Sequence, residues 1–439
     1  MSPLLPVPGL TKPVKPKPIR TTERTLPSGL RVIVVRRPTV PIVEVRLRVP
    51  FFAARDSHSA RAMLLSGTIL TGTGSRDRAG LAIALGELGA DLSVGVDADR
   101  LMLASSTLSS SLPALLRLYA EVLTDARYPA AEVSGERERV IERITMSRSQ
   151  AGTQAAEALA QRMSPGHPYG RNLPSEHDLA ATTAAQLRAL HASLIRPAGA
   201  VLVLVGDLSP ARALDAAEAA LAGWTGAAPA VKAAPLPPLR QLPLQIVDRP
   251  GSVQTSLRFG GSAVPRHDPR YPALQLANLA FGGYFSSRWI ENIREEKGYS
   301  YSPRSRIEHA ALGSNFGVLA DVATDVTAPA MLETLYELGR IASLPITDTE
   351  LESVRQYAIG SLALSTSTQA GLASNIVALI AAGLDANWLT SHPTRLLGVT
   401  IDEVGAAAAE FLSPRKLVAV AVGDAGAITG PLAGLMEIE

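Results

Sequence analysis

A chain of 439 residues is longer than one ordinary domain of about 100–200 residues, so two to four structural units are expected. Hydrophobic residues at 46 % and charged residues at 19 % supply a sizeable core and exclude a disordered or low-complexity protein. Against 42 Lys+Arg stand 40 Asp+Glu, a net charge of +2 that offers no field to hold nucleic acid or an anionic membrane, and the lack of cysteine leaves only His, Asp and Glu to hold a metal.

The first 20 residues read as an extended, solvated arm. Pro3, Pro6 and Pro8 interrupt any apolar run of signal-peptide length, and Lys12, Lys15, Lys17 and Arg20 follow rather than precede it. As it stands this is no export signal and points to the cytoplasm; a chain from which a leader had been removed would read the same and would be periplasmic. No stretch approaches about 18 uninterrupted apolar residues, so neither a membrane span nor a membrane partner is expected. The turn Leu26-Pro27-Ser28-Gly29-Leu30 opens an N-terminal domain over 21–225. Alternation predicts strands at 30–35, 42–49 and 100–106, and helical periodicity marks 59–70, 79–89, 112–125, 130–148, 153–163 and 185–195. The apolar run Val201 to Val205, ending in Gly206-Asp207, is a further strand. Residues 226–242, rich in Pro and Ala and without period, read as a linker to a C-terminal domain over 243–439.

The second domain repeats the first. Pro197 through Gly206-Asp207 recurs as Pro414 through Gly423-Asp424, an offset of 217, and Leu118-Tyr119 recurs as Leu335-Tyr336 at the same offset. Glu132-Val133 recurs as Glu350-Leu351, displaced by one more, and Val43 to Arg48 is echoed by Val253 to Arg258 at an offset of 210. Paired strands and grouped helices predict an α+β fold: two homologous domains, each a mostly antiparallel sheet packed by helices on one side. Neither GxGxxG nor GxxxxGK[ST] occurs, which agrees with the exclusion of an alternating nucleotide-binding layout.

Several strings resemble the insulinase/pitrilysin/mitochondrial-processing-peptidase family of zinc metallopeptidases. They are Leu26 to Leu30, Leu88-Gly89-Ala90-Asp91-Leu92, His167-Pro168-Tyr169-Gly170-Arg171, Leu194-Ile195-Arg196-Pro197 and, most specifically, Ile293-Arg294-Glu295-Glu296-Lys297-Gly298-Tyr299-Ser300-Tyr301. The resemblance implies a two-half α+β architecture and a His-x-x-Glu-His motif on a helix of the first half, two His gripping zinc and the Glu activating water, with a third ligand downstream. At the corresponding positions this chain has Met63 for the first His, Ser66 for the Glu and Gly67 for the second His; Arg143 matches the third ligand, with Glu142 one position off. The seven histidines include no pair at helical i, i+3 or i, i+4 spacing, and His58, nearest the degenerate motif, reads as a hydrogen-bonded residue rather than a ligand. No G-x-S-x-G elbow offers a serine mechanism. No cofactor is expected in this chain.

On residue type alone, Arg294 on a charged helix reads as solvated, and Tyr301, at the expected start of a strand over Tyr299-Ser300-Tyr301, as packing. The resemblance gives them a role: an Arg and a Tyr seven residues apart reach across to the zinc centre. Gly298 is expected to cap the helix running from Trp289 to Lys297. The turn before it, with Gly282, Gly283 and Tyr284, either lines a substrate chamber or merely connects helices. The expected function is that of a zinc-free subunit of a heterodimeric metallopeptidase. Its partner, a homologous subunit bearing His-x-x-Glu-His, would hold the zinc, and the substrates would be short or unfolded peptides. The alternatives are a catalytically silent scaffold and a peptide-binding homodimer.

Overall fold

The structure, a computed structural model, describes residues 18–53, 55, 57–229 and 234–439. Most of the expected arm and the centre of the expected linker lie outside these residues. The first sheet contains β1 (Thr22–Thr25), β2 (Arg31–Arg36), β3 (Ile42–Pro50), β4 (Ser93–Val96), β5 (Arg100–Leu108) and β6 (Val201–Gly206), in the order β1-β2-β6-β3-β5-β4. The second contains β7 (Gln245–Asp248), β8 (Gln254–Ala263), β9 (Arg304–Ala310), β10 (Gly313–Ala323) and β11 (Leu417–Gly423), in the order β7-β11-β8-β10-β9. Without β1 the two orders are identical. Each sheet is antiparallel apart from one parallel pair, β2 with β6 and β7 with β11, because the last strand of each half returns beside β2 or its counterpart β7 after a helical crossover. The α+β expectation holds. β1 and β4 escaped the sequence reading because they are short, largely solvated and rich in Thr, Ser and Gly.

The faces of the sheets explain why β6 and β11 read as unbroken apolar runs. Val32, Val34, Leu202 and Leu204 pack with the helices of their own half, whereas Ile33, Val35, Val201, Val203 and Val205 join the core of the second half. The element that carries that core across is the Gln369–Ala381 helix, laid over β6 and β3. Reciprocally, the Ala151–Met163 helix of the first half lies over β11 and β8, where Ala155 packs with Val420 and Val422. Each sheet thus has its own helices on one face and one exchanged helix on the other. A strand buried on both faces loses its polar alternate, and burial of each Val or Leu stabilises by about 1.5–3 kcal/mol. Among the described residues no helix is long and apolar enough to cross a membrane.

Two of the expected equivalences are corrected by strand pairing and burial. Val203 lies opposite Arg46, and Val420 opposite Arg258, so the counterpart of Arg258 is Arg46 rather than Arg48, at an offset of 212. An even slip leaves every side chain on its face, so alternation does not detect it. The Leu118-Tyr119 echo fails for the opposite reason, since two residues turn a helix by about 200°. Tyr119 is buried with its hydroxyl 2.8 Å from the Ser105 hydroxyl, whereas Tyr336 is exposed. The buried Thr334, which accepts from Trp289 Nε1, is the inward residue at that level. The Val133–Leu351 equivalence stands, both being buried on their helices.

Candidate functional site

The positions of the degenerate zinc motif lie on the His58–Thr68 helix, which packs against the Ala130–Arg148 helix. The Ser66 hydroxyl donates to the Met63 carbonyl at 2.9 Å, and Gly67 offers no side chain. A Cβ at Gly67 would come within 2.7 Å of Glu136 Oε1, so this carboxylate fills the room beside the glycine. Arg139 holds Glu136 at 2.8 Å and Arg143 at 3.3 Å. Two guanidiniums around one carboxylate, with Met, Ser and Gly opposite, do not fit a zinc ion, and the Arg143 position is occupied by a cation that would repel one. Among the described residues no three His, Cys, Asp or Glu side chains gather as a metal site. Glu136 was not singled out from the sequence; its spacing of seven from Arg143, two helical turns on one face, was the available signal.

A small cleft of about 110 Å³ opens at the start of the same helix, lined by His58, Met63, Asp97, Pro168 and Asn172 among others. His58 is buried, its Nε2 donates to the Phe51 carbonyl at 2.9 Å, and burial holds its pKa below the usual histidine value. It is a structural residue, as expected. The His167–Arg171 string borders this cleft through Pro168 and Arg171 and also clasps the halves together. His167 Nδ1 accepts from the Tyr169 N–H, the Tyr169 hydroxyl donates to Asp99 at 2.7 Å, and the same Asp99 carboxylate accepts from the Ala311 N–H at 3.0 Å across in the β9–β10 turn.

Arg294 and Tyr301 do come together. The Arg294 guanidinium lies 4.6 Å from the ring centre of Phe285 and 5.4 Å from that of Tyr301, one cation over two aromatic rings. Phe285 and Tyr301 are 59 % and 85 % exposed, so the stack stands at the surface rather than in the core. Phe285 is the functional candidate the sequence reading missed; it lies in the glycine-containing turn but has no distinguishing spacing. Arg294 Nε also pairs with Glu295 at 3.2 Å.

The chain places the stack by ending one element and delaying the next. Arg288–Ile290 is α-helical and Glu291–Glu296 is a π-helical turn, and Gly298 reverses the chain at φ +65°, a conformation open to glycine. The N–H groups of Tyr299 and Ser300 both reach the Ile293 carbonyl, at 2.8 and 3.3 Å. The expected strand at Tyr299-Ser300-Tyr301 is therefore corrected: β9 starts at Arg304, because these N–H groups are spent on the helix end and Pro303 has none to give a ladder. Beneath the stack, Trp289 and Ile293 are fully buried and Arg288 forms a double contact with Glu350.

Gly282 and Gly283 close a second π-helical turn, Leu279–Gly283. A Cβ on Gly282 would fall 2.8 Å from the Trp289 ring, which stacks on Phe281 at 5.3 Å; one on Gly283 would fall 2.6 Å from Asn278 Nδ2. Gly282 is buried and serves close packing. Tyr284 is half-buried with its ring 5.0 Å from that of Tyr357, and burial, with Glu291 and Glu350 nearby, pushes its pKa up. The two π-helical turns flank Phe285, and the second carries Arg294, a feature frequent at functional sites.

Comparison with known proteins accords with this geometry. Residues 181–357 match the family described as the peptidase M16 inactive domain. An uncharacterized zinc protease of Mycobacterium tuberculosis is 26 % identical over 408 residues, 90 % of this chain and 92 % of that protein. One of Streptomyces coelicolor is 24 % identical over 415 residues, 92 % and 90 % of the two chains. The crystal structure of a peptidase M16 inactive domain from Pseudomonas fluorescens superimposes with a TM-score of 0.86 at 23 % identity, covering 92 % of this chain and 98 % of that one. The periplasmic protease PqqL from Escherichia coli superimposes at 0.77 and 19 % identity, 96 % of this chain covering 48 % of that one. The likeness to these proteins holds along nearly the whole chain: the fold is shared with the solved structures, and the inactive-domain match covers its middle.

Proposed function

We propose that this chain is the zinc-free subunit of a two-component peptidase, contributing Arg294 and Tyr301 to a zinc site carried by a homologous subunit with an intact His-x-x-Glu-His. The observation that carries this reading is the pairing of opposites in one molecule: the ligand positions are filled by Met63, Ser66, Gly67 and Arg143, while Arg294 and Tyr301 stand together at the surface. The substrates are short or unfolded peptides taken in extended form, and Tyr284 belongs to the substrate-binding wall with the glycine turn beneath it. Zinc belongs to the partner alone.

The chemistry of the pair suits the task. The two exposed cation–π contacts are worth about 0.5–1 kcal/mol each, whereas a hydrogen bond to a charged group contributes about 1.5–3 kcal/mol and the guanidinium fork can make two of them. A peptide carbonyl or carboxylate therefore draws the guanidinium from its rings at a net gain. The Tyr301 phenol, free to donate at the surface, stabilises the oxyanion that develops on the scissile carbonyl oxygen as water adds. Tyr301→Phe removes that donor and leaves the ring.

The test uses the purified chain, alone and mixed with its homologous partner. Alone it should hold no stoichiometric zinc by elemental analysis and cleave no peptide. In the mixture, Arg294→Ala and Tyr301→Phe should each lower kcat/KM by about 10²–10³ while leaving subunit association intact. Zinc-dependent cleavage by the chain alone overturns the proposal, and full activity of both variants in the mixture reduces the chain to a silent scaffold.

A further inference from the structure

The two exchanged helices start against equivalent connections, β2 to β3 and β7 to β8, and only one of these starts is plugged. In the first half the Arg37 N–H bonds to the Gly206 carbonyl at 2.7 Å, and its guanidinium donates to the carbonyls of Thr366 and Ser367 at 2.9 and 2.8 Å. In the second half the Arg249 N–H bonds to the Gly423 carbonyl at 2.7 Å, and its guanidinium donates to the Ser149 carbonyl. Arg37-Pro38 and Arg249-Pro250 are thus one feature built twice, at the offset of 212 that relates β3 to β8. The first residue of the Gln369–Ala381 helix is Gln369, whose buried side chain donates its amide N–H groups to the carbonyls of Arg37 and Val40, at 2.6 and 3.3 Å. The first residue of the Ala151–Met163 helix is Ala151, which has no amide to give. Where the carboxamide would lie there is a cavity of about 520 Å³, lined by Ala151, Gly152, Arg249, Ser252, Ser256 and Asp321 among others.

We propose that this cavity binds a primary carboxamide of the glutamine type, as free L-glutamine or as a glutamine side chain of a peptide. The carbonyls of Arg249 and Ser252, counterparts of those of Arg37 and Val40, receive the amide N–H groups. Each already accepts one bond, from the Ser252 N–H at 3.1 Å and the Thr324 hydroxyl at 2.7 Å, and a carbonyl has a second lone pair. Asp321 uses one carboxylate oxygen for Ser256 and Arg258, at 2.6 and 2.9 Å, and is 57 % exposed. It offers opposite charge to the α-ammonium of a free amino acid. A carboxylate in place of the amide donates nothing and meets carbonyl oxygens, so glutamate is refused. A site built to hydrogen-bond an N–H group discriminates strongly against an analogue lacking it.

Isothermal titration of the full chain with L-glutamine, L-glutamate and N-acetyl-glutamine methylamide tests the proposal. Glutamine should bind saturably and glutamate at least tenfold more weakly. Binding of the blocked methylamide as well identifies a peptide side chain as a sufficient ligand, whereas binding of the free amino acid alone assigns the site to that source. Ala151→Gln supplies the plug from within the chain and should weaken glutamine binding at least tenfold, while Ala151→Gly leaves it. Equal binding of glutamine and glutamate, binding of none of the three, or unchanged binding in a folded Ala151→Gln variant overturns the assignment. Should Ala151→Gln not fold, the discrimination between glutamine and glutamate in the unaltered chain still decides.

Discussion

The two halves share a strand order and differ in how they treat one buried guanidinium. In the first, Arg46 Nη1 donates to the carbonyls of Val45 and Ser105, both at 3.0 Å. In the second, Arg258 Nη1 donates to those of Leu257 and Ala320, at 2.9 and 3.0 Å. The charge partners are interchanged across the same pair of strands. Glu44 on β3 faces Ser106 on β5, and Ser256 on β8 faces Asp321 on β10, so carboxylate and hydroxyl have traded places. Arg46 binds Glu44 at 2.9 Å, and Arg258 binds Asp321 at 2.9 Å. The requirement is for one carboxylate in reach of the guanidinium, and either strand satisfies it. The exchanged helices differ as well: the Ser374 hydroxyl accepts from Arg46 Nε–H at 3.2 Å, whereas its counterpart at the 218 offset is Ala156, and Arg258 Nε has no partner.

That comparison can be broken where it is strongest. Either deletion leaves a buried guanidinium unpaired, Arg46 at 13 % and Arg258 at 7 % exposure, so Glu44→Ala and Asp321→Ala should each cost about 3–5 kcal/mol although Asp321 itself is 57 % exposed. Urea unfolding of both variants checks this; a loss of about 1 kcal/mol or less from Asp321→Ala alone would mean that water replaces the carboxylate in the second half and that the two pairs are not equivalent. Acid should then distinguish the halves. Burial, with Arg395 and Arg266 nearby, holds His392 down at about 3, and burial with Arg266 holds His309 at about 4, against an ordinary value of 6.5. Both folded-state values are depressed, so these groups contribute fully above pH 6.5, and stability is lost as the pH falls from there toward 4 and 3, because only the unfolded chain takes up the protons. For His392 the loss approaches about 1.4 kcal/mol per pH unit, and hydrogen exchange at pH 5 should show the second half opening first. His392→Gln should flatten that dependence. The smallest effect sharpens the comparison: Ser374→Ala should cost about 1 kcal/mol, and Ala156→Ser, by giving Arg258 Nε an acceptor, should return a similar amount. A thermal shift in the same direction for both would refute the equivalence.

Much of this was legible beforehand, and the failures have identifiable causes. The 217 offset at Gly206 and Gly423 and the 218 offset at Val133 and Leu351 were read correctly, because a turn glycine and an inward helix residue admit no slip. The β3–β8 offset was read two residues short, although Arg37-Pro38 and Arg249-Pro250 carried the right one; an even slip preserves every face of a strand. Loss of the zinc motif was plain from Met63, Ser66 and Gly67, but the engagement of Arg143 with Glu136 needed the helix face. Arg294 and Tyr301 were named on their spacing within a resemblance, and Phe285, the third member of the stack, had no spacing to betray it. The exchange of helices left a trace only in the unbroken apolar runs of β6 and β11.

By itself the sequence determined the longer strands and helices of the first half, the duplication and the residues standing where zinc ligands would be, because each of these is written in local periodicity or in residue identity. Only the tertiary structure decided which helix covers which sheet, which carboxylate serves which guanidinium, and that one helix end is plugged while its twin is open. The helix exchange rests on contacts between residues 100 or more positions apart, as between Arg249 and Ser149 or Arg37 and Thr366, and even the nearer ion pairs depend on which strands and helix faces meet, so no local pattern encodes the partner.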